Sequence, residues 1–201
     1  TASFFEQLDL NSEQDMFTIS ALIPPYLDNS EYTTQSLQAI LAENYVYRDF
    51  VYDSYISIED SDSMGEIAAS FPAGLISTGE NGDSYETLNA IRSYLADQCK
   101  YTLSPGRTPS TRDFVNYFLL ENNEGYCMHY ATAGTIIARY FGIPARYCEG
   151  YIISADMMQN GTENKDGSVT IDIPDTASHA WCEYYADGYG WIPFEFTPGY
   201  Y

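Results

Sequence analysis

The sequence predicts an α+β fold, with helices in its N-terminal part and one buried helix packed on an antiparallel sheet. Three observations predict it. Apolar residues recur at helical spacing as far as residue 141. Gly142 and Pro144 then supply a helix stop. From Ala145 onward the texture changes to short strand-like runs divided by Asp-Gly turns. Helices followed by a run of neighbouring strands is the α+β order, unlike the alternation of a βαβ chain.

The elements follow in order. Residues 1–32 are mixed and polar around Pro24-Pro25 and read as a lead-in or linker. Residues 33–83 read as a helical accessory segment. Leu37, Ile40, Leu41, Tyr45, Tyr52 and Tyr55 recur at roughly helical spacing over 33–56. The acidic run 59–63 precedes a short helix over 64–70 and reads as a solvated helix start. It lacks the glycine and later glutamate of a calcium loop. Residues 71–82 hold Pro72, Gly74, Gly79 and Gly82 and read as a loop.

Residues 84–201 read as the core domain. Asp83-Ser84-Tyr85-Glu86 resembles a capping box that opens a helix running to about Cys99, with Leu88, Ile91, Tyr94 and Leu95 on one face. A connection over 101–110 and a short helix over 111–121 follow, and an alanine-rich helix spans 127–141. Strands are predicted over 145–154, 168–173, 179–186 and 191–196. Lys165-Asp166-Gly167 supplies a turn between the first two, and Asp187-Gly188-Tyr189-Gly190 a turn between the last two.

Composition narrows the function. The 201 residues carry 8 basic and 29 acidic side chains, a net charge of −21, so phosphate backbones are repelled and nucleic acid is excluded as a partner. Anionic lipid surfaces are disfavoured for the same reason. Residues 1–100 hold 17 of the acids, which suits a solvated accessory layer. The four cysteines, Cys99, Cys127, Cys148 and Cys182, do not follow a C-x-x-C spacing, and the chain has only 2 histidines, so no metal or other cofactor is expected.

The chemistry-bearing residues are Cys127, His179 and Glu195. Cys127 stands at the predicted first turn of the buried helix, after Gly125-Tyr126. Unpaired backbone N–H groups there favour a thiolate, which is the working nucleophile, and they can stabilise an oxyanion. Gly125 is expected to let a substrate approach closely. His179 opens a strand whose hairpin partner ends near Glu195. Antiparallel pairing about Asp187-Gly188 would set that carboxylate against the imidazole as its orienting group. His129 lies two residues after Cys127. Residues i and i+2 do not face one another on a helix, so it is expected to pack or cap locally.

Two long segments carry a resemblance. The first runs Gly125-Tyr126-Cys127-Met128-His129-Tyr130-Ala131, then Ala138-Arg139-Tyr140-Phe141-Gly142-Ile143-Pro144-Ala145-Arg146, then Gly150-Tyr151. The second runs His179-Ala180-Trp181-Cys182-Glu183 and continues through Gly190-Trp191-Ile192-Pro193-Phe194-Glu195-Phe196-Thr197-Pro198. Together they resemble the core domain of the transglutaminase-like superfamily, over residues 84–199 and more faintly over 34–83. The resemblance implies a papain-like fold, with Cys127 as nucleophile, His179 as base and Glu195 as third member. The family most often has Asp-Pro where this chain has Glu195-Phe196.

It implies further a cysteine-dependent acyl transfer on amide bonds through a thioester. Release to water makes a peptidase or amidase, and transfer to an amine makes a transglutaminase. The expected substrate is a peptide or protein, cell-wall-linked amides included. The alternative is a binding or scaffolding module that keeps the fold without turnover. An extracytoplasmic setting, with tethering to a membrane through flanking segments, comes from the same resemblance. So does Tyr101 as a second oxyanion donor, from the segment before the helix. Trp181 and Trp191 are expected as core and groove wall. In an oxidising compartment Cys148 and Cys182 are the pair to suspect, with free core thiols as the preferred expectation.

Overall fold

A computed structural model describes residues 43, 46–58, 62–71 and 84–201. The lead-in over 1–32, the acidic run at 59–61 and the loop over 72–82 lie outside the described residues, as do Asp83 of the capping box and most of the stretch before residue 46.

The helix Cys127–Tyr140 lies at the centre of the core. Its apolar residues are buried on more than one side, which is why the sequence shows a near-continuous apolar run there. One side packs against the helix Ser84–Gln98, whose Leu88, Ile91 and Leu95 are fully buried at the predicted spacing. Another packs on a three-stranded antiparallel sheet of β3 (Ala145–Tyr151), β6 (Ser178–Ala186) and β7 (Gly190–Phe194), in the order β3-β6-β7. The helix ends as expected. Phe141 caps it, Gly142 takes φ 76°, and the chain turns into β3. Arg139 ties the corner, donating to Ala145 O at 2.8 Å and Ser57 O at 3.2 Å.

The accessory segment is helical over 46–54 and over Asp62–Ala68. The first piece latches onto the β6–β7 hairpin. Arg48 meets Asp187 at 2.9 Å, and the Trp191 indole N–H donates to Tyr47 Oη at 2.8 Å. Val51, on the same helical piece, is fully buried.

Three expectations change. The helix expected over 111–121 begins at Phe114, because Asp113 accepts the Asn116 N–H at 2.8 Å and so caps it there. It then widens into a π-helical turn, Tyr117–Asn122, closed by the Asn123 N–H donating to Phe118 O at 2.9 Å. The strand expected over 168–173 does not join the main sheet. Val169–Thr170 (β5) pairs with Thr162–Glu163 (β4) as a separate hairpin about the Lys165-Asp166-Gly167 turn. The strand expected over 145–154 ends at Tyr151, and a short helix, Ala155–Gln159, follows it with the Ser154 hydroxyl as its cap. The turn chemistry is as expected, but it joins two short exposed strands.

The thiols of Cys148 and Cys182 are free. Their strands do pair, yet Cys148 stands opposite Trp181 and Cys182 opposite Tyr147. Residues paired across a ladder share a face and successive residues alternate, so the two thiols project to opposite faces.

Candidate active site

The placement of Cys127 begins upstream. Two residues of β1 (Lys100–Tyr101) pair in parallel with two of β2 (Glu124–Gly125), a contact the sequence did not announce. The Lys100 N–H donates to Asn123 O at 2.8 Å and the Thr102 N–H to Gly125 O at 2.7 Å. Tyr126 is extended, with φ −125° and ψ −174°, and the helix starts on the next residue. Cys127 is therefore the first helical residue, half-buried, with the unpaired N–H groups of a helix start around it. The same ladder sets Tyr101 beside Gly125 and so beside the helix start.

Gly125 has a different reason from the expected one. A Cβ there would lie 2.6 Å from the His129 Cβ and 2.8 Å from the Phe118 ring. The glycine admits those side chains rather than a substrate. His129 is buried, packed against Phe114, Phe118 and Tyr126, and its Nδ1 accepts the Tyr126 N–H at 3.4 Å. It caps the helix and stays out of the cleft, as its spacing from Cys127 implied. Burial holds its pKa below the usual value of 6.5, which keeps Nδ1 free to accept.

That shift has a sign. The unfolded chain binds a proton at His129 more readily than the folded one. Its contribution to stability is therefore complete above about pH 6.5 and is lost as pH falls below it. The expected result is a stability–pH curve between about pH 7 and 5 that is less steep in His129→Gln, whose Oε1 can accept the same N–H without titrating. Denaturant midpoints at several pH values measure it; equal slopes would remove the titration from the account.

His179 is the second residue of β6, buried, and stands opposite Gly150 in the β3–β6 ladder. A Cβ on Gly150 would lie 2.9 Å from the Trp181 ring, which explains the glycine of the Gly150-Tyr151 pair. Glu195 follows the last residue of β7 between the buried rings of Phe194 and Phe196. Its Oε2 sits 2.6 Å from His179 Nε2, and its Oε1 accepts the Thr197 N–H at 2.7 Å. Both carboxylate oxygens are engaged, and the imidazole is held through Nε2. Nδ1 remains for other partners. Tyr200 stacks on the ring, with centroids 4.4 Å apart and planes 20° apart.

Cys127, His179 and Tyr101 line one cleft of about 840 Å³. Burial, with the neighbouring Tyr200 hydroxyl, pushes the Tyr101 phenol up to about 12, so it keeps its proton and can donate. The tryptophans are not the groove wall. Trp181 lies against Gly150, with its N–H directed to Glu183 at 3.4 Å, and Trp191 sits under Arg146 at 4.2 Å. Tyrosines take that place, among them Tyr126, Tyr147 and Tyr151. The signal for two of them was in the sequence, since Tyr147 and Tyr151 alternate along one strand. Tyr200 had no such signal, because it lies beyond the motif that holds Glu195.

Gly134, mid-helix, also went unread. A Cβ there would overlap the Phe196 ring. The bare helix surface lets Phe196 lie flat on it, fully buried, and Phe196 is the residue after Glu195. The carboxylate is thus anchored from the helix that also carries Cys127.

Fold and site together define a class in which a helix-start cysteine shares a cleft with a histidine held by a carboxylate. The chain belongs to the transglutaminase-like superfamily, whose family model matches residues 73–196. It is 31% identical over 125 residues to YebA, an uncharacterized protein of Bacillus subtilis (strain 168), a match covering 61% of this chain and 16% of that protein. Over 97 residues it is 36% identical to a protein-glutamine gamma-glutamyltransferase of Pseudomonas aeruginosa (strain PAO1), covering 48% of this chain and 13% of that protein. Each match therefore takes in a small part of the curated relative. The periplasmic domain of TgpA from Pseudomonas aeruginosa has the same fold, with a TM-score of 0.54 at 24% identity over 74% of this chain and 47% of that one. Among the described residues no helix is long and apolar enough to cross a membrane.

Proposed function

We propose that Cys127, His179 and Glu195 form a thiol–imidazole–carboxylate triad that carries acyl transfer on amide bonds. The observation that supports it most is the 2.6 Å contact of Glu195 Oε2 with His179 Nε2, in the cleft that also exposes Cys127. Held that way, the imidazole has Nδ1 for the thiol proton. The thiolate adds to the amide carbon. The backbone N–H groups at the helix start and the Tyr101 hydroxyl face the oxyanion that forms. The imidazolium then gives its proton to the departing amine, which leaves a thioester on Cys127. His179 next takes a proton from water or from an amine, that oxygen or nitrogen attacks the thioester, and the thiol is restored.

Water as acceptor makes the domain a peptidase or amidase, and we favour that outcome on peptide or cell-wall-linked amides. An amine as acceptor makes it a transglutaminase, which the name of the Pseudomonas relative favours. The periplasmic origin of the structural neighbour supports an extracytoplasmic setting. A scaffolding role without turnover draws least support, because Glu195, the residue that departs from the family pattern, reaches the histidine at hydrogen-bonding distance.

The test is a library of peptide amides, with and without added hydroxylamine, read by mass. Turnover is expected together with an acyl adduct on Cys127, and both are expected to vanish in Cys127→Ala. Turnover unchanged in Cys127→Ala would overturn the triad.

A further inference from the structure

The cleft carries one charged side chain whose chemistry the triad does not use. Strand β3 sends Tyr147, Glu149 and Tyr151 into it from alternate positions. The Tyr147 hydroxyl donates to Glu149 Oε1 at 2.6 Å, which fixes the carboxylate against the aromatic wall. Burial and that same hydrogen bond push the Tyr147 phenol up, so it stays a donor. No lysine or arginine is among the described residues lining the cleft. Arg146, on the same strand, spends its guanidinium on Glu183 at 2.8 Å. The register puts that pair across the ladder from one another, on the face of β3 opposite Glu149. Glu149 is therefore a carboxylate at the cleft, oriented by a hydrogen bond and, among the described residues, without a lysine or arginine paired to it.

Tyrosine rings beside a carboxylate favour one kind of guest. Their faces attract cations, and the acid supplies the charge-assisted hydrogen bond. An anionic guest would meet Glu149 and the chain's net charge of −21. A purely apolar guest would take water from the carboxylate and offer no charge in return.

We propose that Glu149, oriented by Tyr147 and flanked by Tyr126 and Tyr151, is a specificity subsite for an alkylammonium group, such as a lysine side chain, carried beside the reacting amide or amine. The proposal deepens the acyl-transfer reading and rests on it for its consequence in turnover. The binding itself needs no turnover. Glu149 takes no part in proton transfer. It holds a charge that stays on the substrate throughout, so it acts on affinity.

Two measurements test it. The first is calorimetric titration of pentane-1,5-diamine into wild type, Cys127→Ala, Glu149→Gln and the control Glu163→Gln, whose acid is exposed on β4. Binding is expected in wild type, Cys127→Ala and Glu163→Gln, and about tenfold weaker in Glu149→Gln, as for loss of a charged hydrogen bond. Tyr147→Phe, which frees the carboxylate without removing it, is expected to fall between them and serves if Glu149→Gln does not fold. No binding to wild type, or equal binding to wild type and Glu149→Gln, would overturn the subsite.

The second compares peptide amides that differ only by Lys or norleucine beside the reacting amide. Glu149→Gln is expected to raise KM about tenfold for the Lys peptide, with kcat little changed, and to leave the norleucine peptide unaffected. A charge preference that survives Glu149→Gln would sink the subsite and leave the triad standing. Turnover that survives Cys127→Ala would sink the triad, with the calorimetry still deciding the subsite.

Discussion

Glu195→Gln is expected to lower kcat by about 10²–10⁴-fold while the protein stays folded, the range for loss of a positioned acid–base system. The cause lies in how the carboxylate divides its two oxygens. Oε2 faces His179 Nε2 and Oε1 accepts the Thr197 N–H. A glutamine has one oxygen and one NH2. If its oxygen keeps Nε2–H, the NH2 meets the Thr197 N–H, donor against donor. If its oxygen keeps Thr197, the NH2 faces Nε2, and the ring must carry its proton on Nδ1, where it cannot receive one from a thiol. Either choice loses a contact, and the second gives the wrong tautomer. Glu195→Asp tests reach rather than chemistry. It keeps both acceptors but withdraws them by one methylene, so its loss should be smaller than that of Glu195→Gln. Steady-state kinetics on any substrate the library yields would measure both, and equal activity in wild type and Glu195→Gln would remove Glu195 from the mechanism.

Gly134→Ala is expected to destabilise the fold by about 1–3 kcal/mol, against the direction helix propensity would give. Replacing a mid-helix glycine by alanine gains about 1 kcal/mol when the site is open. Here the added methyl overlaps the fully buried Phe196 ring, so overpacking decides the sign. The ring must move, and Glu195 is attached to it through the backbone. Activity should therefore fall by more than the folded fraction does. Phe196→Ala, which takes away every ring atom the methyl would meet, removes the overlap. The double-mutant cycle should show that the two substitutions together cost less than their sum, by about 0.5–3 kcal/mol, as for residues in contact. Additive costs would mean that the glycine serves some other purpose. Urea denaturation supplies the energies.

Much of this arrangement was legible in the sequence, and what was missed shares a physical cause. The two helices of the core and the β6–β7 hairpin announced themselves through periodicity, the Gly142–Pro144 stop and the Asp187-Gly188 turn. Those signals are local, and local signals survive into the fold. Cys127, His179 and Glu195 could be named as candidates because each stands at an element boundary that such signals mark. Contacts between distant segments left no comparable trace. The two-residue ladder that sets Tyr101 beside the helix start is too short to show a period. Gly125 looked like an opening for substrate but is filled by His129 and Phe118. Gly134 went unread, because the ring it admits, Phe196, comes from a segment more than sixty residues away. The strand expected over 168–173 had the right residues, but it pairs in a separate hairpin, where Val169 and Ile171 lie close over Gly161.

The most direct test of the central claim is the rate at which iodoacetamide alkylates Cys127 near pH 7, read by peptide mass in wild type and in His179→Ala. The other cysteines are the internal controls. Burial pushes the Cys99 thiol up to about 11 and the Cys182 thiol up to about 12, and raises that of half-buried Cys148 as well, so all three should react slowly. A Cys127 that shares its proton with His179 should react at least about tenfold faster than Cys148, and His179→Ala should remove the advantage. A Cys127 that reacts no faster than Cys148, or equally fast with and without His179, would contradict the pairing on which the proposed chemistry depends.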